Sequence, residues 1–409
     1  MNKNKTILAS TYAVNPYKGS EDAMGWNFII QIARFNKVIA ITRENNQENI
    51  EKYMLENPKE EYKNIQFLYF DLPYYMRFWK KGGRGAMLYY LMWQKGIVGY
   101  IKKQQIKYDI VHNINFHNDW TPSYLWKLNK PFVWGPIGHH PLIPSQYLKP
   151  YHKKYWIKDR MTWLIKKTFW NVSLSLKKTV EKADVIYCMN ESVQEVLHIK
   201  PEKMVIFPSV ATEDFGCDLN VKSNKFTLIS AGRLVPLKGY DLSILGFASF
   251  INELPQEERK NCELVIVGSG EELNFYKQLC NEHDIDAYVK FVEWIDRQEL
   301  MELFREAAIF LFPSHEGAGM VVAEALSFGL PVICLKNCGP GEFIDKSCGY
   351  AIPIQNYKAT VSDIGKAISE LYNNPKLKDD MSEKARLKFE EKFHWNRRGE
   401  MLHTIYSKL

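Results

Sequence analysis

Short apolar runs alternate with amphipathic segments along almost the whole chain. In the first half, residues 6–11, 38–42, 65–70, 109–114, 131–134 and 184–189 are apolar runs of strand length. Helical spacing between them predicts helices near 21–33, 47–55, 85–106 and 158–182. The second half repeats the rhythm, with predicted strands at 226–231, 263–267, 288–292, 308–312, 331–335 and 350–352. Predicted helices near 240–251, 271–282, 297–306, 320–328 and 359–372 separate them. Strand and helix in strict alternation imply parallel sheets covered on both faces. A chain of 409 residues exceeds what one core organises, and the polar stretch 211–224 is the natural linker. The expected architecture is α/β, with two Rossmann-like doubly wound domains facing across a cleft. The expected boundaries are 1–210, then 225–385, with a last helical segment at 386–409.

Ligands of such sheets lie beyond the carboxyl ends of the strands, so the loops there carry the candidate chemistry. The run 308–312 ends at Pro313 and leads into Ser314-His315-Glu316-Gly317-Ala318-Gly319-Met320-Val321. Glu316 therefore sits on a loop, and Glu324 lies one to two turns into the next helix. The glycines between them leave the first helical N–H groups bare, which suits a phosphate. The run 226–231 is followed by Gly232, Arg233, Lys238 and Gly239, which places two cations at the same sheet edge. Fixed cations stabilise a departing diphosphate without a metal: Arg233 as a planar fork and Lys238 as a point charge. Taken alone, each of these residues has an ordinary explanation as a loop charge or a helix-start anion. The combination is harder to dismiss. Val265-Ile266-Val267-Gly268-Ser269-Gly270 adds a further glycine turn, but as a dinucleotide fingerprint it is weak.

The order Gly-Arg-Leu-x-x-x-Lys-Gly, Val-x-Val-Gly-x-Gly and Pro-Ser-x-Glu-Gly-x-Gly-x-x-x-x-Glu-Ala resembles the donor half of the family-4 retaining glycosyltransferases, known as group 1. Tyr17-Lys18-Gly19-Ser20-Glu21, Gly25-Trp26-Asn27 and Phe132-Val133-Trp134-Gly135-Pro136-Ile137-Gly138 resemble segments of a bacterial surface-glycan branch of that family. The resemblance implies a GT-B fold, a nucleoside-diphosphate sugar as donor and retention of anomeric configuration. It puts Arg233 and Lys238 on the diphosphate, Glu324 on the ribose and Glu316 on the sugar, with Arg233, Lys238 and Glu316 as the catalytic set. Gly19, Gly232, Gly268, Gly317, Ala318, Gly319, Met320 and Val321 would complete the donor site, and the last helix would cross back to the first domain. Many relatives carry a second histidine shortly after Asp-x-x-His. Here Asp109-Ile110-Val111-His112 is followed by Asn113-Ile114-Asn115, leaving His117, His139 or His140 to substitute, with His117 and His139 taken as candidates for sugar or acceptor contact. Ser20 is expected to cap the first long helix, with Gly19 giving the backbone close access to a ligand.

Charge divides the chain. Residues 1–210 carry 31 Lys/Arg against 17 Asp/Glu, while the remainder carries 23 against 30. Residues 72–108 hold eight basic residues, nine aromatics and no acid, and 120–180 hold eleven basic residues against Asp159 alone. Aromatics among cations suit an anionic membrane surface and a glycan or polyprenyl-linked acceptor. The alternative is a core helix whose lysines are solvated. No nucleic-acid-binding motif is present. Seven cysteines form no C-x-x-C pair and no zinc spacing, so neither a metal nor a cofactor beyond the sugar nucleotide is expected. The first ten residues lack an apolar leader core, which points to a cytoplasmic enzyme at the inner membrane face. Two rivals remain: a sugar-nucleotide epimerase of the same fold, and a non-catalytic binding subunit recruited to membrane.

Overall fold

The computed structural model describes residues 5–114, 116–216 and 225–409. Most of the predicted linker, from 217 to 224, lies outside the described residues, as do the first four residues of the segment where no leader is expected. The chain forms two compact units. One comprises Met1–His139, Leu164–Ser209 and Trp395–Leu409, and the other His140–Trp163 and Val210–His394. His140–Trp163 and Trp395–Leu409 are where this division departs from a simple cut at the linker.

The first unit holds a seven-stranded, wholly parallel sheet: β1 Thr6–Ser10, β2 Lys37–Thr42, β3 Ile65–Tyr69, β4 Ile110–Asn113, β5 Phe132–Ile137, β6 Val185–Cys188 and β7 Met204–Ile206. Their spatial order is β3-β2-β1-β4-β5-β6-β7, which reverses direction at the β1/β4 boundary. The three-residue β7 is too short to show any periodicity in sequence. Tyr89, Tyr90 and Trp93, on the helix Ala86–Gln104, fill the core beneath this sheet. Three of the nine aromatics in 72–108 are therefore core, while Tyr74, Tyr75 and Phe78 stay exposed.

Two local expectations are corrected. The helix predicted at 158–182 is two helices, Lys153–Val172 and Leu174–Lys182, because the Ser173 hydroxyl accepts the Leu176 N–H at 3.2 Å and caps the second. Ser20 makes no capping bond. It opens the helix Ser20–Ala33 at φ 56°, a left-handed conformation uncommon for a side-chain-bearing residue.

The C-terminal helix Trp395–Lys408 packs on Ser20–Ala33, and its Tyr406 reaches the sheet at His112. His112 Nε2 lies 2.7 Å from the Gly135 carbonyl oxygen, so that nitrogen carries the proton. Nδ1 then accepts the Tyr406 hydroxyl at 2.6 Å. The ring is fully buried, and burial pulls its pKa down to about 4. The folded chain thus resists a proton that the unfolded chain accepts near pH 6.5. Stability from this histidine is present above that value and is lost as pH falls towards 4. We expect the unfolding free energy to drop by about 2 kcal/mol between about pH 7.5 and about pH 5 on its account. Urea midpoints across that range should flatten in His112→Phe, and an unchanged slope would exclude His112 as the cause.

The second unit is built on a six-stranded parallel sheet: β8 Phe226–Ala231, β9 Cys262–Val267, β10 Val289–Val292, β11 Ile309–Phe312, β12 Val332–Leu335 and β13 Gly349–Ile352. The order is β10-β9-β8-β11-β12-β13. β11 is buried on both faces, with Ile309 and Leu311 in one core cluster and Phe310 and Phe312 in another. That explains its unbroken apolar run. The strand order reverses between β8 and β11, which puts the loops leaving those strands at the switch point of the sheet's carboxyl edge.

Candidate functional site

The loops that follow β8, β9, β11 and β12 meet at this edge of the second unit. After β8, Gly232 and Gly268 lie back to back at φ 142° and 143°. A Cβ on Gly268 would stand 2.0 Å from the Gly232 carbonyl oxygen, so only glycine allows the approach. The two loops are then stitched by Gly232 N–H to the Val267 carbonyl at 2.9 Å and Leu234 N–H to the Ser269 carbonyl at 2.9 Å. Arg233, between those bonds, is exposed and makes no ion pair among the described residues. The Tyr240 hydroxyl is buried without a hydrogen-bond partner and lies 3.3 Å from the position of a Cβ on Gly232.

Lys238 ends a short turn, Pro236–Lys238, and its Nζ lies 2.7 Å from Glu316 Oε2. Both side chains are largely buried, at 12% and 21% exposure, so the pair is shielded from solvent. The β8 and β11 loops are also joined through one carbonyl. Leu237 O accepts the His315 N–H at 2.9 Å and the Ser314 hydroxyl at 3.1 Å. The His315 ring packs edge-on against Tyr147, its Nε2 has no partner, and burial takes its pKa down to about 4.

Gly317, Ala318 and Gly319 lead into the helix Met320–Ser327, whose first residues Met320 and Val321 are half-buried. Gly317 has no space for a side chain, since a Cβ would lie 2.2 Å from the His140 ring. Glu324 is 6% exposed and is held by Arg297, with Nη2 to Oε1 at 2.8 Å. Burial raises its pKa, and Arg297 opposes the rise. The structure therefore brings together Gly232, Arg233, Lys238, Gly268, Glu316, Gly317, Ala318, Gly319, Met320, Val321 and Glu324 within one unit.

Asn337 and Arg297 hold this edge together, and sequence reading misses both. Asn337 Nδ2 donates to the carbonyls of Ser314 (2.6 Å) and Glu316 (3.3 Å), and Oδ1 accepts from the N–H groups of Gly339 (3.1 Å) and Gly341 (3.4 Å). This amide locks the Glu316 loop to the loop after β12. The only sequence signal is its place directly after a strand and ahead of a Gly-Pro-Gly turn.

The remaining predicted residues belong to the first unit. Gly19 is exposed, with open space at its Cα. His117 Nδ1 is 3.6 Å from Glu21 Oε1, and its buried Nε2 has no partner. His139 Nδ1 is 2.7 Å from Asp119 Oδ2, both buried, and His139 N–H and C=O are clasped by the Asn190 side chain.

Residues 211–388 match the family model of the glycosyl transferases group 1. An uncharacterized glycosyltransferase of Haemophilus influenzae is 32% identical over 169 residues, covering 40% of this chain and 44% of that protein. The alpha-1,3/1,6-mannosyltransferase of Homo sapiens is 26% identical over 237 residues, covering 54% and 55%. The chain thus spans about half the length of the curated relatives it matches. Over whole chains the likeness is one of fold. The crystal structure of Anabaena HepE in complex with UDP and glucose superposes with a TM-score of 0.63 at 13% identity, covering 99% of this chain and 100% of that one. Two parallel sheets of this kind are those of the GT-B fold, and it is residues 211–388 that are similar to the group 1 glycosyl transferases.

Proposed function

We propose that the protein is a retaining glycosyltransferase that moves a sugar from a nucleoside-diphosphate donor to a glycan or polyprenyl-linked acceptor in bacterial surface polysaccharide synthesis. The observation that carries this reading is the convergence of Lys238, Glu316, Arg233 and buried Glu324 on one sheet edge. Arg233 and Lys238 face the charge that develops on the departing diphosphate, so fixed cations rather than a bound metal take it up. Glu324 accepts the ribose hydroxyls, and Glu316 holds hydroxyls of the sugar. The acceptor oxygen bonds to the anomeric carbon as the bond to the diphosphate breaks. The acceptor proton passes to the leaving phosphate on the same face. His117 and His139 are the proposed sugar or acceptor contacts, with Gly19 at the donor. Support also comes from the relatives named as glycosyltransferases and from a structural neighbour that holds UDP and glucose.

No described helix is long and apolar enough to cross a membrane. Peripheral attachment at the cytoplasmic face is the proposed location, supported by exposed Tyr74, Tyr75 and Phe78 and by Ile157, Met161, Leu164 and Ile165 along the helix Lys153–Val172.

Calorimetric titration with UDP, GDP and ADP tests the donor class, on wild type and on Glu324→Ala. One nucleotide should bind, and loss of the ribose-binding carboxylate should weaken it roughly tenfold or more, about 1–3 kcal/mol. No binding by any nucleotide to folded wild type would remove the catalytic reading and favour a binding subunit.

A further inference from the structure

A second cationic site lies in the first unit, beyond the carboxyl ends of β2 and β3. Arg43, Arg77 and Lys80, with Asp71, Tyr74 and Phe78, line a cavity of about 410 Å³. Three cations share one lining carboxylate. Asp71 is already committed, accepting the Tyr89 hydroxyl at 2.5 Å and facing Arg77 Nη1 at 3.5 Å. Arg77 leans outward to Glu44 at 3.3 Å, yet its buried Nε has no partner. Arg43 is fixed without being neutralised: its guanidinium lies 4.3 Å from the Tyr12 ring centroid, and its Nε donates to the Tyr12 carbonyl at 3.3 Å. Lys80 forms no ion pair among the described residues: it donates to the Gly82 carbonyl at 3.4 Å and lies 5.7 Å from the Tyr89 ring centroid. Burial first, then repulsion from Arg43 and Arg77, pulls the Lys80 pKa below the usual lysine value, with Asp71 opposing. Cations held together against their own repulsion are stabilised when a multivalent anion arrives. Beside the cavity, Tyr74, Tyr75 and Phe78 are 75%, 73% and 59% exposed, as a membrane interface would use them.

We propose that this cavity binds the phosphate or diphosphate group of the acceptor, held by Arg43, Arg77 and Lys80. The inference rests on the transferase reading for calling the ligand an acceptor; the anion site itself does not. The exposed aromatics beside it favour a lipid-linked source over a soluble sugar phosphate.

The test is calorimetric titration of inorganic pyrophosphate into the full chain. Wild type should bind two equivalents, one in this cavity and one at Arg233 and Lys238. Arg43→Gln/Lys80→Gln should lose one equivalent, or weaken it tenfold or more, while nucleotide affinity stays within about twofold. Lys80→Arg should retain it, which separates charge recognition from a folding defect. Pyrophosphate binding that is unchanged in the double variant overturns the inference. Nucleotide binding that is unchanged in Arg233→Gln/Lys238→Gln instead overturns the donor reading, so the two failures are distinct. Competition then identifies the source. Displacement of this equivalent by polyprenyl phosphate in phosphatidylcholine vesicles, lost in Tyr75→Ser/Phe78→Ser, assigns a lipid-linked acceptor. Displacement by soluble glucose 1-phosphate alone assigns a soluble one, and displacement by neither overturns the proposal.

Discussion

Glu316→Gln should cut sugar transfer by about 10²- to 10³-fold while nucleoside diphosphate binds several-fold more tightly than to wild type. The opposite signs follow from the Lys238–Glu316 contact of 2.7 Å. In this structure each group neutralises the other. On the proposed reading a donor draws Lys238 towards its diphosphate while Glu316 turns to the sugar. Glutamine keeps the shape and removes the negative charge, so Lys238 meets the diphosphate with its charge uncompensated. The same change strips the sugar of an anionic hydrogen-bond acceptor where positive charge develops at the anomeric carbon. Binding and turnover should separate, and the measurement is a nucleotide titration beside a single-turnover transfer assay with each form. If both fall together, Glu316 serves only to hold Lys238 in place.

Asn337→Ala should lower transfer by about tenfold to a hundredfold through loss of positioning. It should also cost about 2 kcal/mol of stability from hydrogen bonds left unmade in a half-buried loop. Asn337 touches no proposed substrate atom. It holds the Ser314 and Glu316 carbonyls on one side and the Gly339 and Gly341 N–H groups on the other. A loop freed from this clasp still carries Glu316 but no longer fixes it opposite Lys238. The readout that separates positioning from mere stability is kcat at saturating donor, measured well below the melting temperature. Asn337→Asp keeps the two acceptor contacts and loses the two donated ones, so it should fall between wild type and alanine. Equal kcat in all three forms would exclude the positioning role.

The strands were legible because a doubly wound sheet buries both faces. β11, Ile309–Phe312, is apolar at every position and could be read directly. β7, Met204–Ile206, was not legible because three half-exposed residues carry no period. The break at Ser173 was hidden for a related reason. A serine within a long lysine-rich segment becomes a cap only when the backbone on its N-terminal side leaves the helix. The charged and glycine residues of this sheet edge were legible as a set, since a strand end, a glycine and a charge recur in order, and loops at one sheet edge must converge. Their pairings were not. Nothing in sequence spacing places Glu316 on Lys238, 78 residues away, or Arg297 on Glu324. Nor does it show that Asn337 ties two loops together, or which aromatics of 72–108 are core and which are exposed.

Local pattern along the chain thus carries the alternating α/β order, the parallel sheets and the recurrence of charged and glycine residues after the strands. These follow from burial periodicity and local backbone preference, which act between near neighbours in the chain. Folding sets which charge neutralises which, which buried hydroxyl and imidazole lack partners, and where Arg43, Arg77 and Lys80 gather round one carboxylate. Those are distances between segments far apart in sequence. Electrostatic and hydrogen-bond energies depend on them at the ångström scale, and no local pattern records them.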